Sequence, residues 1–235
     1  MSRRHALVAY RKLAPGTSRE HKAGGSIRCL VLASGPEEWA GVDLRSGAIV
    51  RLHPGAAASF AERADEPVAA LDVVELRLAE DPDPLDPGRP EAVVPVGLPT
   101  RRGRLRTRQA RRVLRSLVPS SDPRPLLGVI GPSAPYADLE GAKPSVVLVR
   151  PDRRPEIVAT DGAVWCSFGL SGADERLPVA DARAVAAACA IPGTVLSAAG
   201  IAAMIGHPVH YLLVALLPPR GGHASKAVIG LLPRP

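Results

Sequence analysis

The first sustained apolar pattern begins at Ser26, where "IRCLVLA" (27–33) has the continuous apolarity of a buried strand and is closed by Ser34, Gly35 and Pro36. Next, "EWAGVDL" (38–44) alternates Ala40, Val42 and Leu44 against Trp39, Gly41 and Asp43. Ser46-Gly47 turns the chain into "AIVRLH" (48–53), where Val50 and Leu52 alternate with Ile49, Arg51 and His53. A short helical stretch, "AAASFAERAD", follows Pro54-Gly55, and "LDVVELRLA" (71–79) is again strand-like. Beyond a proline-rich acidic loop lies "AVVPVG" (92–97), where Pro95 predicts an edge or bulged position. The predicted order is β-β-β-α-β-β. Residues 1–25, basic and without periodicity, read as a flexible arm.

The C-terminal part repeats that order. "SVVLVR" (145–150), "PEIVAT" (155–160) and "AVWCSF" (163–168) read as three strands, with Asp161-Gly162 suited to a type I′ hairpin. "DARAVAAACA" (181–190) is a helix that Asp181 is placed to cap. "YLLVALL" (211–217) and "KAVIGLL" (226–232) close the unit around "PPRGGHAS". Three meandering strands, a helix and two further strands is the order of the OB-fold, a five-stranded Greek-key barrel. The expected architecture is therefore mainly β with short helices. Two tandem OB-fold-like barrels (26–99 and 144–235) are joined by a 100–143 linker that carries a basic amphipathic helix.

Three blocks carry a family resemblance: "CLVLASGPEEWAGVDLRSGAIVRL", "PSVVLVRPDRRPEIVATDGAVWCSFGLSGADERLPVAD" and "YLLVALLPPRGGHASKAVIGLLP". Together, over roughly Ile27 to Pro233, they resemble the dual OB-containing domain proteins of prokaryotes. That resemblance implies two tandem OB-folds and a nucleic-acid-binding role. The chain departs from the family in "VRLHPG", which lacks an aromatic before the arginine, and in 191–210, which reads as an insertion. The family brings no catalytic residues to transfer.

Composition narrows the function classes. Aromatics are 3% of 235 residues, so the cores must be built from Val, Leu, Ile and Ala. A net charge of +7 favours polyanionic partners. Arginine outnumbers lysine 26 to 4 and asparagine is absent, so part of that charge reflects a compositional bias. Cys29, Cys166 and Cys189 are dispersed and odd in number, which fits a reducing cytoplasm and gives neither a disulfide framework nor a zinc site. The uncharged span 184–219 is interrupted by Pro192, Gly193, Gly200, Gly206 and Pro208, so it reads as buried structure rather than a membrane helix. His207 and His210 read as structural, and Lys226 lies outside any Walker motif. No catalytic, cofactor-binding or metal-ligating motif emerges.

The strongest candidate chemistry is "TRRGRLRTRQARRVLRS" (100–116), with Arg101, Arg102, Arg104, Arg106, Arg108, Arg111, Arg112 and Arg115. Arg108, Arg111, Arg112 and Arg115 share one helical face, while Ala110, Val113, Leu114 and Leu117 form the opposite stripe. No carboxylate occurs between Ala92 and Ser121, so sequence neighbours cannot neutralise the arginines. In the second barrel, OB-type binding points to loop residues Arg150, Arg153, Arg154, Arg220 and His223, with Lys226 beyond and Trp165 as a stacking platform. Burial of Trp165 under the inter-barrel helix is the alternative. In the first barrel, Glu80, Asp81, Asp83, Asp86 and Glu91 would repel phosphate from the groove, despite Trp39, Arg51 and His53 on the predicted outer face. The expected function is nucleic-acid binding through phosphate contacts. Two alternatives stand beside it: a protein-interaction module for an acidic partner, including the chain's own loop at 80–91, and an enzyme with a site between the barrels.

Overall fold

The computed structural model describes residues 24–35, 38–52, 68–80, 86, 88–139 and 144–235. Arm residues 1–23, His53, the helical stretch 56–65 and the loop carboxylates Asp81 and Asp83 lie outside the described residues. The fold is mainly β, with curled sheets and, among the described residues, three short α-helices.

The first unit opens with the antiparallel meander β1 (Ser26–Ser34), β2 (Trp39–Asp43) and β3 (Ile49–Leu52). Strand β4 (Asp72–Leu78) pairs with the other edge of β1. Then β5 (Ala92–Val93) runs parallel to β3, and β6 (Pro95–Arg104) runs antiparallel to β4. Only Val94 separates β5 from β6, so one stretch of chain joins both ends of the sheet β5-β3-β2-β1-β4-β6 and the sheet curls back on itself. Pro95 begins the terminal strand of this sheet, where its missing N–H breaks no central ladder. The strand runs through Arg104, so the first part of the arginine-rich stretch belongs to the sheet and not to a linker. Cys29, Val31, Trp39, Val50, Leu52, Val74 and Leu76 fill the interior.

Helix α1 (Thr107–Leu117) coincides with the predicted basic helix. Ala110, Val113 and Leu114 are its buried stripe. After β7 (Ser133–Pro135), the second unit consists of β8 (Val146–Val149), β9 (Arg153–Thr160), β10 (Ala163–Leu170) and β11 (Ala173–Pro178). Helix α2 (Ala182–Cys189), β12 (Val195–Leu196), α3 (Ala198–Ile205), β13 (Tyr211–Leu216) and β14 (His223–Leu232) complete it. Asp181 caps α2 by accepting from the Arg183 and Ala184 amides. Asp161 and Gly162, both at positive φ, form the hairpin expected of them.

The strand assignment of this unit differs from the sequence reading. The segments 145–150 and 155–160 are not neighbours in a meander. They are two halves of one bent run, with β8 in the sheet β7-β14-β13-β8 and β9 in the sheet β11-β10-β9-β12. The third meander strand is β11, whose "ADERLP" carries three charged residues and masks its strand period. A parallel bridge between Val179 and Val228 links the two sheets at their other side. Between them lie Ile157, Val164, Cys166, Phe168, Leu177, Leu212, Val214 and Leu231.

The units are joined by a second apolar layer. Along β13, Leu212, Val214 and Leu216 face the second unit's interior, while Tyr211, Leu213 and Ala215 face the first unit. There they meet Leu30, Leu32, Ala40 and Val42, with Val113 and Leu114 of α1 in the same cluster. Burial on both faces explains why β13 and β14 read as continuous apolar runs rather than alternating ones. The approach is close at Gly230, where an added Cβ would stand 2.9 Å from the Leu32 carbonyl oxygen.

A Leu213→Ala substitution is expected to lower stability by about 2–5 kcal/mol, the cost of a large cavity in a rigid core. In urea-induced unfolding followed by tryptophan fluorescence and circular dichroism, the two probes should shift together, because Leu213 belongs to the layer that both units share.

Candidate nucleic-acid interface

The arginines of 101–115 fall into three groups. Arg101, Arg102 and Arg104 sit on β6 beside carboxylates of β4: Arg101 Nε lies 3.2 Å and Arg104 Nε 2.6 Å from Asp72, and Arg102 Nε lies 3.0 Å from Glu75. Asp72 is fully buried, so its charge is held in place by these two guanidiniums and the Ala69 amide. Sheet pairing thus supplies partners that the local sequence lacks, which corrects the expectation of an unneutralised run. Arg106 and Arg111 stand apart from these. Arg106 is the N-cap of α1 through its backbone, the amide donating to the Gln109 side chain at 3.3 Å while its own side chain is exposed, and Arg111 donates to the Pro235 carbonyl oxygen from Nε and Nη2 at 2.8 and 2.6 Å.

Arg108, Arg112 and Arg115 make up the third group. All three are exposed, and among the described residues no carboxylate forms an ion pair with them. They lie on the α1 face opposite Ala110, Val113 and Leu114, whose burial in the inter-unit layer fixes the direction of the helix. At the C-terminal end of that face, Arg150 leaves β8 and Arg234 follows β14. Both are exposed, and their fields together with that of Arg115 reach the His210 imidazole. Four chain segments therefore build one basic surface, of which the sequence reading named Arg108, Arg112, Arg115 and Arg150 but not His210 or Arg234. Arg234 lies in a short proline-flanked end with no periodic signal, and His210 was read as structural. Only the strand register brings them together.

The remaining candidates form a different neighbourhood. Trp165 is half-buried on β10, with the Arg176 guanidinium 5.1 Å from its ring centre. Trp165, Arg176, Glu175, Arg124, Ile130 and Lys226 line a cleft of about 760 Å³ between β11 and residues 122–132. The connection between the two units, rather than α1, therefore flanks Trp165. Lys226 is buried, with Nζ donating to the Val129 carbonyl at 3.1 Å, and desolvation lowers its pKa. Lys226 thus ties the connection to β14 from the wall of this cleft, rather than standing free in a loop. Arg153 pairs with Asp174 at 3.0 Å, Arg154 is exposed, and Arg220 and His223 face each other across the β13–β14 turn.

In the first unit, the strand face expected to bind is covered. Trp39 is in the unit's interior and Arg51 is fully buried, so neither lies on an open face. The parity assigned to Arg51, opposite Val50 and Leu52, is right, but that face is covered by the second unit. Arg51 donates to Glu38, to the Ser145 hydroxyl at 2.7 Å and to the Leu216 carbonyl at 3.0 Å. Arg89 donates to the other Glu38 oxygen at 2.8 Å, and Glu91 accepts from the Ser145 amide and hydroxyl at 2.6 and 2.7 Å. Burial and the nearby Arg51 lower the Arg89 pKa, while Glu38 opposes that shift. Among the described loop carboxylates, Asp86 and Glu91 thus engage Arg89 and Ser145 rather than α1 or a groove.

Other chemistry is sparse. Burial pushes the thiols of Cys29 and Cys166 up, the latter to about 12, so both stay protonated near neutrality. Among the described residues no three His, Cys, Asp or Glu side chains are grouped to hold a metal ion, and no helix is long and apolar enough to cross a membrane.

Glu38→Gln is expected to cost about 3–5 kcal/mol in urea-induced unfolding, because it leaves two buried guanidiniums without their shared counter-charge. Comparison with protein-family models, with curated proteins and with solved structures finds no match for this chain.

Proposed function

We propose that the protein binds nucleic acid through its phosphate backbone, with low sequence specificity, and that each unit is an OB-type barrel. The strand pairings support the second statement. In the first unit the meander β1-β2-β3 is followed by a parallel neighbour of β3 that continues as an antiparallel neighbour of β4, and β4 pairs with β1. In the second, β9-β10-β11 leads through the parallel bridge to β14, then to β13 and β8. Both follow the Greek-key order of that barrel.

One observation carries the binding reading: the exposed guanidiniums of Arg108, Arg112 and Arg115 lack carboxylate partners among the described residues, and Arg115 shares the surroundings of His210 with Arg150 and Arg234. Arginines elsewhere on β6 are paired, so the contrast is not a matter of composition. A rigidly docked row of guanidiniums matches phosphate, which each can hold bidentately. Aromatic side chains are absent from this row, which favours backbone contacts over base stacking.

The direct test is titration of labelled single-stranded DNA, duplex DNA and RNA at several salt concentrations. Replacing Arg108, Arg112 and Arg115 together by Ser should leave the thermal unfolding curve in place. It should reduce the slope of log affinity against log salt by about 2–3, at roughly 0.9 per phosphate contact on a duplex. An unchanged slope would move the binding surface away from α1, and no binding at low salt would overturn the proposal.

A further inference from the structure

Strand register explains why the basic surface ends in a histidine. Leu212 pairs with Val149 and Tyr211 pairs with Leu232, so Arg150, His210 and Arg234 leave three adjacent strands at the same end of the ladder. The His210 amide donates to the Leu232 carbonyl at 2.8 Å, which fixes the backbone there. Arg111 holds the Pro235 carbonyl, and Arg115 lies one helical turn further along the same α1 face. The imidazole itself is half-buried and stands edge-on to Tyr211, with ring centres 4.8 Å apart.

Resting on the nucleic-acid reading, we infer that Arg115, Arg150, His210 and Arg234 form a phosphate clamp that takes up a proton at His210 when a phosphate binds. Among the described residues, the charged groups that act on the imidazole from the elements around it are all cationic: Arg115 from α1, Arg150 from the end of β8 and Arg234 from the end of β14. Among the described residues none of these three forms an ion pair with a carboxylate. Desolvation and these three charges disfavour the imidazolium in the free protein and hold its pKa below the ordinary histidine value. A phosphate diester entering the cluster reverses the sign of the local field. It offers an oxygen to the ring N–H and neutralises the guanidiniums, so the imidazolium becomes the favoured form.

The direction follows from linkage. A group whose pKa is higher in the complex than in the free protein strengthens binding as pH falls through the interval between the two values. At higher pH His210 is neutral in both states and contributes no charge. Once pH lies below the free-protein value, it is charged in both and the gain is complete. The other phosphate ligands of the clamp are arginines, which stay charged throughout this range, so within the clamp only His210 titrates, and comparison with a His210 variant separates it from the other histidines.

The experiment is a duplex-DNA titration at fixed low salt, at about pH 7.5 and about pH 5.5, a range that spans ordinary histidine titration. Wild-type affinity should rise about threefold to tenfold on acidification, up to one pKa unit of coupling. His210→Gln should bind at both pH values with the weaker affinity, and His210→Arg at both with the stronger one. Thermal unfolding of each variant checks that the fold is retained. Binding by the wild type with a pH dependence that survives in His210→Gln would overturn the clamp while leaving the nucleic-acid reading intact. Absence of binding at either pH would overturn both.

Discussion

Burial of the sheet formed by β8, β13 and β14 on both of its faces is the constraint from which the rest of the molecule follows. One face closes the second unit's interior and the other lies on Leu30, Leu32, Ala40 and Val42 of the first unit. The first unit therefore gives its β2–β3 face to intramolecular contact, and the polar residues at the edge of that face must be satisfied there. Arg51, Arg89, Glu38, Glu91 and Ser145 bond one another there through charge-assisted hydrogen bonds, which leave the buried Arg51 Nε and Arg89 Nη1 without a partner. Such a buried set adds little net stability compared with an apolar contact, but it fixes how one unit sits on the other, since a rotated arrangement would strand two guanidiniums.

The same contact decides which arginines are available. Apolar residues of α1 are drawn into the shared layer, so the helix is held against the body of the protein with its opposite face outward. Fixing the backbone in advance removes much of the ordering cost that a flexible arginine-rich segment meets on binding. It also aligns α1 with the ends of β8 and β14, so that charges far apart in sequence lie on one surface. On β6 the arginines serve a different purpose, Arg101 and Arg104 pairing with the buried Asp72 and Arg102 with Glu75.

Much of this was legible in the sequence. Helix α1, its two faces, the Asp161-Gly162 hairpin and the Asp181 cap all rest on local chemistry, which tertiary contacts did not displace. The bent run 146–160 was not legible, because Pro151 and Asp152 look like a turn whether the chain reverses or merely changes sheet. Nor was β11, whose Asp174, Glu175 and Arg176 hide its period on an exposed edge. Face parity was read correctly for Arg51, but parity says nothing about what covers a face. Lys226 misled for the converse reason: a lysine beside a glycine-rich turn reads as exposed, yet its stem lies under residues 129–132. His210 and Arg234 acquire meaning only from strand register, which pairs positions more than twenty apart.

The two-sided strands carry a consequence for sequence variation. A residue on an ordinary sheet face answers to one core, and a neighbouring change in that core can compensate for its replacement. On β13, successive positions answer to alternate cores, and its backbone is shared by both. A shift that repacks one side displaces the other, so compensation must arise in two places at once. Val214 and Leu213 are thus in different environments but tied to the same few tenths of an ångström. In a saturating mutational scan this strand would form the least permissive block of the chain, while the exposed positions of β9 and α1 would tolerate most replacements that keep the fold.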